Sequence, residues 1–128
     1  MRRSPSWMVQ VDQNTILVVD DEPNIVRQLS FVLDRVGLRV IVASDGEDAL
    51  RLVREARPKV VLLDVMMPRM NGYEVCGAIK SDPELRDTYV ALLTAKSQES
   101  DREKGLAAGA DEYIVKPFNP IEIAEHLK

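Results

Sequence analysis

Five short apolar runs punctuate the chain, and each ends on polar residues. Ile16-Leu17-Val18-Val19 is closed by Asp20-Asp21, and Val40-Ile41-Val42-Ala43 by Ser44-Asp45-Gly46. Val60-Val61-Leu62-Leu63 is closed by Asp64, Val90-Ala91-Leu92-Leu93 by Thr94, and Tyr113-Ile114-Val115 by Lys116-Pro117. The runs are continuous rather than alternating and rich in Val, Ile and Leu. Strands buried on both faces of a parallel sheet read this way.

Helical periodicity fills the intervals. Pro23 opens a helix at a preferred early position, Ile25, Val26, Leu29, Val32, Leu33 and Val36 recur on one face, and Gly37 stops it. Ser44 and Glu47 have capping-box spacing for a second helix with Ala49, Leu50, Val53 and Ala56 inward. Asn71 and Glu74 offer the same start to a third, with Val75, Cys76 and Ile79 inward. The fourth, from about Gln98 to Ala107, is polar until Leu106 and carries Gly105, so it should be the least stable. Asn119-Pro120-Ile121-Glu122 starts the fifth. Strands alternating with helices predict an α/β doubly wound sheet with right-handed crossovers. Residues 1–13 are polar and aperiodic, which predicts a tail before one domain over 14–128 whose fifth helix is short.

Length and composition narrow the function. The 128 residues suffice for one domain with its own core. The single Cys76 excludes an internal disulfide, and the single His126 excludes a His-rich metal site. With 17 basic and 21 acidic residues and no Lys/Arg cluster, nucleic-acid binding by this chain is not expected. No apolar run reaches the roughly 20 residues that span a bilayer. Met1-Arg2-Arg3 is followed by no signal-peptide core, so the expected location is cytoplasmic.

Acidic, hydroxyl and cationic groups directly follow strands one, three, four and five. In open α/β sheets the ligand crevice lies beyond the carboxyl ends of the strands, at the switch point. With the order 2-1-3-4-5 that point falls between strands one and three, and Asp20, Asp21 and Asp64 face one another across it. Converging carboxylates need a proton, a lysine or a cation between them. Oxygen ligands of this kind suit Mg²⁺, which shares phosphate oxygens readily. Lys116 adds a compact positive charge and Thr94 a hydroxyl. A carboxylate nucleophile, a divalent cation, a lysine and a hydroxyl form a set for phosphoryl transfer. Singly, each residue has a plainer reading. The acidic triplet Asp20-Asp21-Glu22 suits a helix N-terminus, Thr94 a strand end, Lys116 the surface and Tyr113 packing.

Taken in order, these pieces resemble the receiver domain of two-component response regulators. Asp20-Asp21 follows the first strand; Asp64-Val65-Met66-Met67-Pro68 and Asn71-Gly72 follow the third. Thr94-Ala95 follows the fourth, and Gly109-Ala110-Asp111-Glu112-Tyr113-Ile114-Val115-Lys116-Pro117-Phe118 carries the fifth. Asp64 lies 43 residues after Asp21, Thr94 30 after Asp64, and Lys116 22 after Thr94. The resemblance implies the strand order 2-1-3-4-5. It also implies that Asp64 accepts a phosphoryl group from a phosphohistidine on a sensor histidine kinase or phosphotransfer protein. Asp20, Asp21, Asp64 and the Met66 backbone carbonyl would ligate Mg²⁺. Lys116 and Thr94 would contact the phosphoryl group, and Tyr113 would switch behind Thr94.

The output face implied is the fourth helix, fifth strand and fifth helix. Family dimer contacts would map to Arg102 with Glu122, Glu112 with His126, and Glu103, Leu106 and Ala124. Glu103 and His126 depart from that pattern, so a monomer is expected, with at most a weak dimer on activation. Three other readings stand beside this one. An aspartyl phosphatase would place its nucleophile after the first strand with a second Asp two residues on. An FMN carrier would need a phosphate-wrapping loop where Asp20-Asp21-Glu22-Pro23 stands. A binding module would need no intact phosphoryl-transfer set.

Overall fold

The structure, a computed structural model, describes residues 15–67, 70–94, 99–115 and 119–126. Strands β1 (Thr15–Val19), β2 (Arg39–Ala43), β3 (Val60–Asp64), β4 (Tyr89–Thr94) and β5 (Glu112–Val115) alternate with helices. These are α1 (Pro23–Arg35), α2 (Gly46–Ala56), α3 (Gly72–Ser81), α4 (Glu99–Ala107) and α5 (Pro120–His126). The sheet is parallel throughout, in the order β2-β1-β3-β4-β5. That is the architecture expected from the alternation of runs.

The period of two along each strand divides the core into halves. Leu17, Val19, Val61, Leu63, Val90 and Leu92 pack with Ala49 and Val53 of α2 and Val75, Cys76 and Ile79 of α3. Ile16, Val18, Leu62, Ala91 and Leu93 pack with Leu29 and Leu33 of α1 and Ile123 of α5. β1, β3 and β4 are therefore buried on both faces, as their apolar runs predict. The edge strands are not. Val42 of β2 is 44% exposed and Val115 of β5 is 37% exposed, because each edge strand has only one neighbour to cover it.

Helix starts follow local chemistry, with one correction. Pro23 opens α1, and Asn71 with Glu74 forms a complete capping box on α3. For α2 the cap is Asp45 rather than Ser44: its Oδ1 accepts the Asp48 N–H at 2.8 Å. Aspartate one residue on reaches the same orphan donors, so the helix begins at Gly46. α4 places no described side chain in either half of the core, and Leu106 is 64% exposed. Among its described side-chain positions Gly105 is the buried one.

At the amino ends of β4 and β5 the packing is tight and charge-matched. Lys80 at the end of α3 donates to Asp111 Oδ2 at 2.6 Å, to Thr88 O at 2.7 Å and to Arg86 O at 3.0 Å. Asp111 Oδ2 also accepts the Val90 N–H at 2.8 Å. Gly109, at φ +90°, fits its turn against the Lys80 stem, and the Cys76 thiol donates to Ala108 O at 3.5 Å. Burial pushes that thiol up to about 11, which makes Cys76 an inert core residue. The amino-terminal edge is thus stitched to α3 through side chains and backbone together.

Candidate functional site

Val19 pairs with Leu63, so the next residues along those neighbouring strands, Asp20 and Asp64, emerge side by side. Both are buried, while Asp21 is exposed at the rim. One carboxylate oxygen from each of the three lies within 4.8 Å of the others. The backbone fixes two of them. Asp20 Oδ1 accepts the Glu22 N–H at 2.9 Å, and Asp64 Oδ1 accepts the Met66 N–H at 3.2 Å. Two unit charges at such a separation repel by roughly 1 to 4 kcal/mol between the limits of water and a protein surface. A divalent cation turns that repulsion into ligation, and three hard oxygen donors match what Mg²⁺ takes from a protein while keeping some of its water. The donor set therefore fits the ion.

Two further site residues follow from the register. Asp64 pairs with Leu93, which makes Thr94 the next residue on β4, and Thr94 is buried. Tyr113 pairs with Leu92 on β5 and is half-buried. Met66 is 64% exposed beside Asp64, whereas Met67 is buried and Met70 is packed against the core. Lys116 lies outside the described residues, as do the side chains of Arg102, Ala124 and His126. Glu112, expected opposite His126, accepts from Tyr89 Oη at 2.6 Å. That bond pushes the Tyr89 hydroxyl up to about 12.

One structural requirement of the site is not visible in residue type alone. A Cβ on Gly72 would stand 2.5 Å from the Asp64 carbonyl oxygen and 2.8 Å from Val65 Cα. The Gly72 N–H donates to Val65 O at 2.9 Å. The first residue of α3 is therefore a glycine because the helix and the end of β3 touch through bare backbone. The Asn71-Gly72 pair with Glu74 was the available signal, but it reads as a helix start.

A doubly wound parallel sheet with a trio of carboxylates at its switch point defines a small α/β domain whose acidic pocket suits a divalent cation. Residues 16–128 match the response regulator receiver domain family. The chain is similar to the alkaline phosphatase synthesis transcriptional regulatory protein PhoP of Bacillus subtilis, at 44% identity over 88% of this chain and 46% of that protein. It is also similar to Protein PilG of Pseudomonas aeruginosa, at 37% identity over 93% of this chain and 88% of PilG. Among solved structures, the chemotaxis protein CheY4 of Vibrio cholerae superposes with a TM-score of 0.84, at 34% identity over 90% of this chain and 96% of that one. The chain belongs to the response regulator receiver domain family. As such it is a phosphorylation-dependent signalling switch, in a family whose members are generally regulators rather than metabolic enzymes. It spans less than half the length of the first transcriptional regulators it matches. Among the described residues no helix is long and apolar enough to cross a membrane.

Proposed function

We propose that Asp64 is the phosphoacceptor and that Asp20 and Asp21 complete its Mg²⁺ site with the Met66 carbonyl. The observation that carries this is the meeting of the three carboxylates at the carboxyl ends of β1 and β3. An Asp64 carboxylate oxygen attacks the phosphorus of a phosphohistidine on a sensor kinase or phosphotransfer protein. A P–O bond forms, the P–N bond breaks, and the leaving imidazole takes a proton from solvent. Mg²⁺, when bound, neutralises charge on the transferring oxygens. Asp20 and Asp21 hold the acidic pocket in shape. Thr94 offers its hydroxyl to the phosphoryl oxygens, Lys116 its ammonium, and Tyr113 moves behind Thr94.

On this reading residues 1–13 are a tail and 14–128 are one receiver domain acting in the cytoplasm. It turns over no metabolite. It acts on a downstream domain or protein through α4, β5 and α5, without touching nucleic acid itself. It is a monomer at rest and at most a weak dimer when phosphorylated. The test is incubation with acetyl phosphate and Mg²⁺ followed by intact-protein mass measurement. Wild type gains one base-labile phosphoryl group and Asp64→Asn gains none. Equal labelling of the two would remove Asp64 from the role.

A further inference from the structure

Alanine is the better helix former, yet α2 begins on a buried glycine. The Gly46 backbone gives no reason for it, since among the described glycines only Gly37 and Gly109 take a positive φ. Space supplies one. A Cβ on Gly46 would stand 2.8 Å from Met70 Cβ, 3.0 Å from Met70 Cγ and 2.9 Å from Val75 Cγ2. Ordinary carbon–carbon contacts lie at roughly 3.5–4.0 Å. The start of α2 therefore lies bare against the connection that leads from Asp64 into α3.

Neither side of this contact can give without moving the acidic pocket. Val75 is fully buried, and Met70 Cβ moves only with its own backbone. Two residues on from Met70, the Gly72 N–H donates to Val65 O at 2.9 Å, and Gly72 is closed against the Asp64 carbonyl. A push on Met70 is thus passed to Asp64. On the other side, Ala49 and Val53 hold α2 in the core, and the Asp45 carboxylate caps its start. Two residues before Asp45, Ala43 O accepts the Asp20 N–H at 3.2 Å. A push on Gly46 is thus passed to Asp20. Residues 43–46 supply no carboxylate to the trio, but they touch the backbone of one buried member and the helix start that braces the other.

We propose that Gly46 is a positioning residue for the acidic pocket. Its missing side chain lets residues 43–46 wedge between Asp20 and the β3–α3 connection, and that fit sets the spacing of Asp20 and Asp64 at which a divalent cation is held. The cation's part rests on the function proposed above; the spacing does not. Mg²⁺ demands near-ideal geometry of its oxygen ligands, so a small displacement of one carboxylate is read as lost affinity.

The full chain is titrated with MgCl₂ by amide NMR, well below its melting temperature. Gly46→Ala is expected to raise the Mg²⁺ Kd about tenfold, the usual loss when groups behind a metal's ligands are disturbed. In chelator, its Asp20 or Gly72 amide resonance is displaced from the wild-type position. Gly77→Ala adds the same methyl group to α3 where nothing stands within 4 Å, and keeps the wild-type Kd and both resonances. Val53→Ala opens a cavity on the buried face of α2, so it melts lower but keeps the wild-type Kd. Gly46→Ala/Met70→Gly moves the Cβ across the contact instead of adding one, and brings the Kd back to within about threefold of wild type.

A folded Gly46→Ala that keeps the wild-type Kd, or in which neither amide moves, would overturn the proposal. So would a Val53→Ala protein that binds Mg²⁺ as weakly as Gly46→Ala, because the effect would then be one of stability alone. If Gly46→Ala does not fold, the double variant decides: recovery of fold and affinity supports the wedge, and failure of either overturns it. If wild type binds no Mg²⁺, the reading of the pocket fails instead. The amide comparison in chelator still tests the wedge.

Discussion

The two ends of the same sheet treat charge in opposite ways. At the amino ends of β4 and β5, Lys80 meets Asp111, and backbone carbonyls and an N–H complete the cluster. At the carboxyl ends of β1 and β3, three carboxylates meet one another. The first arrangement is self-contained and stabilises the fold. The second gathers like charges that a divalent cation would hold together. A parallel sheet makes the division possible, because every strand ends on the same side. Local stability is spent where chemistry needs it and kept where the scaffold needs it.

The largest effect expected from single changes sits where these ends are joined by α3. Gly72→Ala forces a methyl group into the Asp64 carbonyl and should cost about 3 kcal/mol in denaturant melts. Its acetyl phosphate labelling should fall with it. A Gly72→Ala protein as stable and as readily labelled as wild type would mean that helix and strand do not touch as described.

Next comes the charge-matched end. Lys80→Met removes a donor to three oxygens and should destabilise by about 1–3 kcal/mol. Asp64 labelling in the folded variant should stay at the wild-type level. Loss of labelling without loss of stability would blur the contrast between the ends.

The acidic end should show the opposite sign. In chelator, Asp21→Asn should be more stable than wild type by about 0.5 kcal/mol, since one repelling charge is gone. With Mg²⁺ at ten times its Kd, wild type should gain about 1.4 kcal/mol and Asp21→Asn much less. Equal gains in both would separate Mg²⁺ from this site.

The fold should also lose stability in alkali. Cys76 and Tyr89 are acids that the folded chain keeps protonated, so the stability they bring is complete at lower pH and lost as pH rises. Cys76 contributes between 9.0 and about 11, and Tyr89 between 10.0 and about 12. Denaturant midpoints stepped through this range should fall. Cys76→Ala should flatten the earlier part of the decline and Tyr89→Phe the later part.

Much of this is legible in the chain itself. Continuous apolar runs marked β1, β3 and β4 because those strands are covered on both faces. Placing Asp20, Asp21 and Asp64 directly after such runs was enough to bring them to one crevice. The edge strands read the same way but are half covered, since composition does not record a strand's number of neighbours. The cap of α2 was misplaced by one residue because Ser44 and Asp45 are both good caps and only geometry chooses between them. Leu106, the first apolar side chain after the polar stretch of α4, is exposed. The helix instead turns Gly105 inward, because the Tyr113 ring already occupies the space a side chain would need. Gly72 and Gly105 share this property: a glycine demanded by a distant neighbour reads in local sequence only as a helix start or a weak helix.

On the function proposed above, the acidic end is the phosphoryl site and works through its cation. The most direct measurement is peptide mapping of wild type after acetyl phosphate treatment in Mg²⁺ and in chelator, with borohydride reducing the aspartyl phosphate to homoserine to mark the phosphorylated residue. Modification is expected at Asp64 alone, strong with Mg²⁺ and nearly absent in chelator. Modification at another residue, or at Asp64 to the same extent in chelator, would contradict it.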